Sequence, residues 1–171
     1  MRIIFVALLV LSPLFAISEK TDTMNSDFVQ TITNDKNSVI TYKGNMFAKR
    51  PNKAMWHYKE PIEKSVYITA ESVIIIEPEL EQAIVKRLGD SIDILAILAS
   101  AKKDGKTSYT AYYNNKEYHI TMQSYMIKSI SYSDAFDNVV KIVFSAQQIN
   151  KSIKDSRFKA DIPADFDIIN D

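Results

Sequence analysis

Residues 49–58 read Lys49-Arg50-Pro51-Asn52-Lys53-Ala54-Met55-Trp56-His57-Tyr58, and this stretch decides the fold. Its Pro-Asn pair marks a tight corner in the backbone. On either side of the corner, apolar and polar side chains alternate, which is typical of strands that bury one face. The stretch therefore predicts two strands that meet at a short turn.

The strand before the corner is expected to have one apolar face. Its more apolar set of alternate residues should face inward, and that set comprises Ile40, Tyr42, Gly44, Met46, Ala48 and Arg50. Because the set ends on Arg50, the guanidinium should lie at the rim of the apolar face. Ala54, Trp56 and Tyr58 continue the alternation after the corner. Trp56 is predicted to be either core or cavity wall.

Further strands are predicted from β-branched runs bounded by turn residues. Asn114-Asn115 is a strong hairpin signal, and Asp104-Gly105 turns the chain back into strands. The predicted strands lie at residues 65–69, 73–76, 81–86, 107–113, 116–123, 126–133, 138–145 and 158–162. With the two described above, we expect about nine to eleven strands in an antiparallel sheet.

Two helices are predicted. The first lies near the start of the mature chain, where one apolar face is formed by Met24, Phe28, Val29 and Ile32 and the cap by Thr21, Asp22 or Thr23. The second covers residues 91–101, with Ser91 or Asp90 as its cap. Residues 92–99 are apolar nearly all round, so this helix must be covered on most sides.

Composition restricts the class of protein. The chain has 171 residues, of which 46% are hydrophobic, which is enough for one domain with one core; we place that domain at residues 19–171. Lys plus Arg and Asp plus Glu both number 21, so no net charge attracts nucleic acid. The sequence predicts an α+β fold in which a curved sheet covers the helices.

The N-terminus has the pattern of an export signal. Arg2 precedes an unbroken apolar run at residues 3–11, and the segment after it ends in Ala16-Ile17-Ser18, the pattern of a small-residue cleavage site. Ala16 and Ser18 fit the small-x-small rule, so cleavage is expected after Ser18. An uncleaved anchor is the alternative, although the run is shorter than the roughly 20 residues of a spanning helix. The chain has no cysteine, the residue to which the lipid of a bacterial lipoprotein is attached, so we do not expect it to be lipid-anchored itself. We expect it in the periplasm of a two-membrane bacterium or in the medium.

These segments together resemble a known family. The Arg50-Pro51-Asn52, Trp56 and Pro61 positions, followed by Pro78 and Glu81-Gln82, are similar to those of the periplasmic lipoprotein carriers of the LolA family. The resemblance runs over nearly the whole mature chain. One departure lies two places before the tryptophan, where carriers have a bulky residue and this chain has Ala54; Met55 is expected to take over that contact.

The resemblance implies an antiparallel half-barrel with a short helical lid and a concave side that holds acyl chains. It implies a carrier that takes lipoproteins released at the inner membrane and delivers them to the outer membrane, and a lid-closing role for Arg50. The candidate acyl-chain lining comprises Phe28, Ile40, Tyr42, Met46, Ala48, Trp56, Leu95 and Leu98, with Ile120, Met122, Ile142 and Phe144 from the later strands.

The implied partners are acylated lipoproteins, an inner-membrane ABC transporter complex as the donor, and an outer-membrane lipoprotein receptor as the acceptor. We expect a monomer that needs no cofactor and binds no nucleic acid. Two other functions stay open at this point, a lipid- or lipoprotein-sensing regulator on the same half-barrel and a periplasmic lipid hydrolase. The hydrolase would need a nucleophile or a metal site.

Signatures of enzymatic sites are weak in this sequence. No serine lies in a Gly-x-Ser-x-Gly setting, and a zinc site would need more ligands than His57 and His119 supply. Glu77, Glu79 and Glu81 suggest paired carboxylates, but alternation predicts that all three lie on one solvated strand face. We therefore expect no enzyme.

Overall fold

The computed structural model describes residues 21–87 and 93–170. The predicted export signal, and the predicted helix caps Asp90 and Ser91, lie outside these residues. The described strands, in chain order, are β1 Thr23–Thr33, β2 Val39–Lys49, β3 Lys53–Glu60, β4 Lys64–Ile68, β5 Ser72–Glu77, β6 Gln82–Arg87, β7 Lys102–Lys103, β8 Ser108–Tyr113, β9 Lys116–Gln123, β10 Met126–Ser133, β11 Val139–Ile149 and β12 Asp167–Asn170.

All twelve strands belong to one sheet, in the order β12-β6-β5-β4-β3-β2-β1-β11-β10-β9-β8-β7. Every neighbouring pair is antiparallel except β12 and β6, which are parallel. One α-helix, α1 (Ile94–Ser100), packs on the sheet within the described ranges. The α+β prediction of a curved sheet with a helical cover is confirmed, with more strands than expected and a mixed edge.

β1 occupies the segment for which the sequence predicts a helix, so that prediction is wrong. Met24, Phe28 and Ile32 are spaced by four, and this spacing fits one face of a helix and one face of a strand equally well. The strand positions between them hold Ser26 and Gln30, whose polarity hides the period of two. Both are buried and hydrogen-bonded, Ser26 through its hydroxyl to a backbone carbonyl of β11 at 2.7 Å.

The turn residues of the Asn114-Asn115 hairpin adopt the backbone conformation that the sequence predicts. Asn114 and Asn115 both have positive φ, at 48° and 58°, as a two-residue hairpin turn requires. The predicted strand face of glutamates is wrong, because β5 ends at Glu77 and a 3₁₀ turn, Pro78–Leu80, follows before β6. Glu77 accepts a hydrogen bond from the Gln82 side chain at 2.6 Å.

The main core lies on the concave face of the sheet. The inward alternation of β2 is confirmed from Gly44 to Ala48, while Ile40, near the start of β2, is 52% exposed. Opposite, Trp56 on β3 pairs with Met46 in register, and both are buried. This core joins β1 to β3 with β8 to β11 and with α1 in one apolar cluster.

Helix α1 is shorter than predicted and is capped by a different residue. The Asp93 side chain accepts hydrogen bonds from the backbone N–H groups of Leu95 and Ala96, both at 3.0 Å. Four of its seven residues are buried, namely Ile94, Leu95, Ile97 and Leu98. The helix thus covers part of the concave face, as its apolar sequence predicts.

The predicted strand at residues 158–162 is wrong, because the C-terminal segment crosses the convex face of the sheet. The chain leaves β11 beside β1 and pairs again only at the far side of β6. Between them, a 3₁₀ turn, Asp155–Phe158, buries Phe158 against the sheet. Asp155 binds Lys49 at 2.8 Å and Lys53 at 3.4 Å, and the Arg157 guanidinium lies 4.7 Å from the Phe47 ring centre.

Gly44 gives a prediction about the curvature of the sheet. A Cβ at Gly44 would run into the backbone carbonyl of His57, which belongs to the neighbouring strand and has no room to move. A Cβ at Gly105 would meet the Ser108 hydroxyl, which can rotate away. We expect Gly44→Ala to lower the free energy of unfolding by about 1–3 kcal/mol and Gly105→Ala to leave it nearly unchanged. Urea unfolding of both variants measures this, and equal midpoints would show that the strands approach less closely.

Candidate functional site

A cavity of about 140 Å³ lies in the concave face beside the packed core. Its lining is drawn from both halves of the sheet and is apolar apart from one carboxamide, two phenols and the indole N–H. The lining residues are Gln30, Trp56, Tyr58, Val66, Ile68, Val73, Tyr132 and Ile142. Such a cavity suits an apolar group and has few polar atoms with which to orient it.

Aromatic rings form one wall of the cavity. The Phe28 ring packs edge-on against Trp56 at 5.0 Å and against Tyr58 at 5.1 Å, measured between ring centres. Tyr58 in turn packs edge-on against Tyr42 at 5.7 Å. These T-shaped contacts fix the rings in place, so the wall is built before any ligand arrives.

Two polar groups of the cavity, the Tyr58 hydroxyl and the oxygen of the Gln30 carboxamide, are paired with each other. The Tyr58 hydroxyl donates to Oε1 of Gln30 at 2.9 Å. Gln30 is only 8% exposed, although it projects from a strand into apolar surroundings. Burial, and secondarily the neighbouring Tyr42, raise the pKa of Tyr58 well above its ordinary value, so the phenol stays protonated and stays a donor.

The surroundings are more polar at the Tyr58 end of the cavity, which we call its mouth. Lys64 lies 4.7 Å from the Tyr58 ring centre and 5.0 Å from that of Tyr42. Farther out on the same end of the sheet, Ile40 and Phe136 are exposed, Phe136 by 84%. The interior is thus apolar, the mouth carries a cation over aromatic rings, and the outer rim exposes apolar side chains.

Arg50 ties helix α1 to the rest of the molecule. Its Nε donates to the backbone carbonyl of Thr21 at 2.9 Å, and its Nη2 donates to the carbonyl of Leu95 at 3.4 Å. Leu95 is the second residue of α1, so the contact is made in the first turn and not at the C-terminal end of the helix. The guanidinium therefore links the segment before β1 with the helix that covers the concave face.

The predicted lining residues fall into three places. Trp56 and Ile142 line the cavity, and Tyr42 and Ile40 lie at its mouth or rim. The others are packed in the core around and beneath α1, namely Phe28, Met46, Ala48, Leu95, Leu98, Ile120, Met122 and Phe144. Met55 lies on the convex face, where it lines a groove with Phe47 and Tyr67, whereas Ala54 belongs to the core cluster on the concave face.

Six of the cavity-lining residues were missed by the sequence reasoning. Gln30 is not predicted, because the spacing of apolar residues in β1 predicts a helix. Tyr58 belongs to the same alternating set of β3 as Trp56, so the alternation is a signal that could have predicted its place in the cavity. Val66, Ile68 and Val73 alternate on β4 and β5, but no sequence signal says which face of those strands points inward. Tyr132 comes from β10 and reaches the cavity only through the tertiary fold.

Other chemistry finds little support in the described part of the chain. Residues 21–87 and 93–170 contain no cluster of three or more potential metal ligands. His57 shares a hydrogen bond with the Ser65 hydroxyl at 3.0 Å, and His119 lies 3.5 Å from Glu117. Within the same ranges, no helix combines the length and the apolar character that crossing a membrane requires.

Two relatives are similar to this chain over most of their length. The outer-membrane lipoprotein carrier protein of Campylobacter jejuni is 36% identical over 156 residues, which is 91% of this chain and 91% of the relative. That of Wolinella succinogenes is 34% identical over 141 residues, or 82% of each chain.

Solved structures share the fold at much lower identity. An uncharacterized conserved protein from Thermus thermophilus superposes with a TM-score of 0.57 at 8% identity, over 91% of this chain and 95% of that one. A LolA superfamily protein from Nitrosomonas europaea gives a TM-score of 0.51 at 8% identity, over 85% and 96% of the two chains. The model of the family "Outer membrane lipoprotein carrier protein LolA" matches residues 19–119. With these relatives, that match shows that the chain belongs to the LolA family of outer-membrane lipoprotein carrier proteins.

Proposed function

We propose that this protein carries lipoproteins between the two membranes of a bacterium by holding their acyl chains between the sheet and α1. The observation that carries the proposal is the apolar cavity in the concave face, next to a helix that covers the core and is hydrogen-bonded by Arg50. Membership of the carrier family supports it. Such a carrier binds its cargo and transforms nothing, so no catalytic residue is assigned.

The size of the cavity requires the lid to move. A cavity of about 150 Å³ accepts a ligand the size of benzene, and the cavity here is about 140 Å³. An acyl chain of sixteen carbons is far larger. The described form is therefore a closed one, and cargo binding must enlarge the cavity at the expense of packing in the core.

Displacing α1 would extend the cavity into the apolar cluster that the helix covers. Ala48 and Met46 on β2, and Leu95 and Leu98 on α1, belong to the cluster that the helix closes. Once α1 moves, these side chains and Phe28 become accessible and extend the cavity wall. The proposed acyl-binding surface of the open form is thus the predicted set, with Tyr42 and Ile40 nearest to solvent.

The proposed function also implies a partner that supplies the lipoprotein and a partner that receives it. We propose that the cargo is released to this protein by an inner-membrane ABC transporter complex and passed to an outer-membrane receptor. A monomer is sufficient, because one chain supplies both the sheet and the lid. The place of action is then the periplasm, reached through the export signal.

Arg50 provides the sharpest test of the lid. Arg50→Leu removes the hydrogen bonds to Leu95 and Thr21. Charge-assisted hydrogen bonds contribute roughly 1.5–3 kcal/mol, or about tenfold or more in the ratio of closed to open forms. We expect the variant to load cargo readily and to deliver it poorly, and Arg50→Lys to be intermediate because lysine lacks the planar fork. Delivery of a loaded lipoprotein to acceptor membranes measures the effect.

Lys49→Met is the matched control, because Lys49 is the neighbouring cation but binds Asp155 and the Ile153 carbonyl on the convex face. It should deliver cargo like the wild type. Normal delivery by a well-folded Arg50→Leu protein would contradict the lid role.

Two tryptophan substitutions separate cavity from core. Val66 lines the cavity and is half-buried, so Val66→Trp should fill the space and lower the binding of a fluorescent hydrophobic probe with a small loss of stability. Ala48 is 1% exposed and packed beneath α1, so Ala48→Trp should unfold the protein more readily, by about 1–3 kcal/mol or more. Probe titration and thermal melting of both variants give the answer. Unchanged probe binding by folded Val66→Trp would show that the cavity is not the binding site.

The export signal makes a separate prediction. We expect the mature protein, isolated from the periplasmic fraction, to begin near Glu19, because Ala16 and Ser18 meet the rule for cleavage. N-terminal sequencing measures this directly. A chain that still begins at Met1 would contradict both the cleavage and the periplasmic location.

A further inference from the structure

We propose that the Gln30 carboxamide, held by the Tyr58 hydroxyl, donates a hydrogen bond to the carbonyl oxygen at the head of a bound acyl chain. The cavity would then recognise an acyl ester or amide and not hydrocarbon as such. This inference rests on the proposed function in one respect, that the concave cavity accepts acyl chains.

Gln30 is an unusual residue for its place. It is the one carboxamide among the cavity-lining residues and is 92% buried, since its exposed fraction is 8%. A buried amide without partners destabilises a fold, so its hydrogen bonds must be accounted for. Oε1 accepts from the Tyr58 hydroxyl at 2.9 Å. Nε2 makes no hydrogen bond to the residues of the described ranges, and the side chain borders the cavity.

Tyr58 determines which atom of the amide meets the ligand. A protonated phenol that donates to the amide must meet its oxygen, which turns the NH₂ group away from Tyr58. The phenol is itself fixed, because its ring packs against Phe28 at 5.1 Å and Tyr42 at 5.7 Å. The result is an oriented donor in an apolar cavity, and its natural partner is an acceptor with no hydrogen of its own.

The depth of the pair suits the head of an amphipathic ligand. Trp56 and Tyr58 are successive inward residues of β3, so they lie about 6.6 Å apart along the strand. The Trp56 end is apolar, and the Tyr58 end adjoins Lys64 and Tyr42 at the mouth. A hydrocarbon tail on the Trp56 side places its linking carbonyl beside Gln30 and its polar remainder outside. Esters and amides share this carbonyl, so both are expected to bind.

The test compares ligands that differ only in the carbonyl. Purified wild-type protein is titrated with a fluorescent hydrophobic probe. The probe is then displaced by a medium-chain fatty acid methyl ester, by the corresponding N-methyl amide, or by an alkane of the same length. The quantity of interest is the ratio of ester affinity, or amide affinity, to alkane affinity. Gln30→Met keeps the size of the side chain and removes its donor.

We expect Gln30→Met to lower both ratios about fivefold to tenfold, the usual effect of one hydrogen bond, without weakening alkane binding. Ile142→Val is the control, because Ile142 lines the same cavity with apolar atoms only. It should weaken all three ligands by the same factor. If Gln30→Met also weakens all three equally, Gln30 only packs against the ligand and the inference is overturned.

Tyr58→Phe decides the matter if Gln30→Met does not fold. It keeps the ring packed against Phe28 and removes only the hydroxyl, so the amide is no longer oriented and the ratios should fall. Ratios unchanged in Tyr58→Phe, or displacement by none of the three ligands from the wild type, overturn the inference. Lipoprotein delivery is measured in a separate assay. A protein that delivers its cargo but shows no carbonyl preference refutes this inference while leaving the carrier function intact.

Discussion

The pairing of β1 with both β2 and β11 is the interaction on which the whole sheet depends. Among the described strands, β1 alone joins the half formed by β2 to β6 and β12 to the half formed by β7 to β11. Its register brings Phe28 opposite Gly44 on one side and Phe144 on the other. The aromatic wall, the cavity and the support for α1 all lie across this junction. A strand formed by the first described residues therefore cannot complete its pairing until β11, more than a hundred residues later, is in place.

The same junction explains why polar residues are tolerated in the middle of an apolar face. A β-bulge between Asn25 and Asp27 breaks the regular register with β11, and the Ser26 hydroxyl satisfies a carbonyl of β11 there. The carboxamide oxygen of Gln30, four residues later, accepts a hydrogen bond from Tyr58 of β3. The two side chains thus tie β1 to different neighbours. Each of these hydrogen bonds offsets part of the cost of burying a polar side chain.

The extent to which the sequence predicts this structure differs from residue to residue. Alternation in β2 and β3, and the Asn114-Asn115 turn, are local properties, so the sequence is a reliable guide to them. Arg50 was placed at the rim of the apolar face by the same alternation, and the structure brings its guanidinium to α1. The failures are non-local. The helical spacing in β1 is resolved only by partners far along the chain, and the C-terminal segment follows the convex face because Phe158 is buried there.

The free energy of the proposed lid movement is similar in size to that of cargo binding. Lifting α1 exposes four buried apolar residues, at about 1.5–3 kcal/mol each, so opening costs on the order of 10 kcal/mol with the Arg50 bonds included. Burying an acyl chain recovers about 0.8 kcal/mol per methylene, or on the order of 10 kcal/mol for one long chain. The two quantities are of the same size, which is the condition for a carrier that neither stays open when empty nor holds its cargo irreversibly. A helix of only seven residues is suited to this balance, since two turns do not persist in water without packing. Each buried residue added to α1 would shift the balance towards a lid that cargo could not displace.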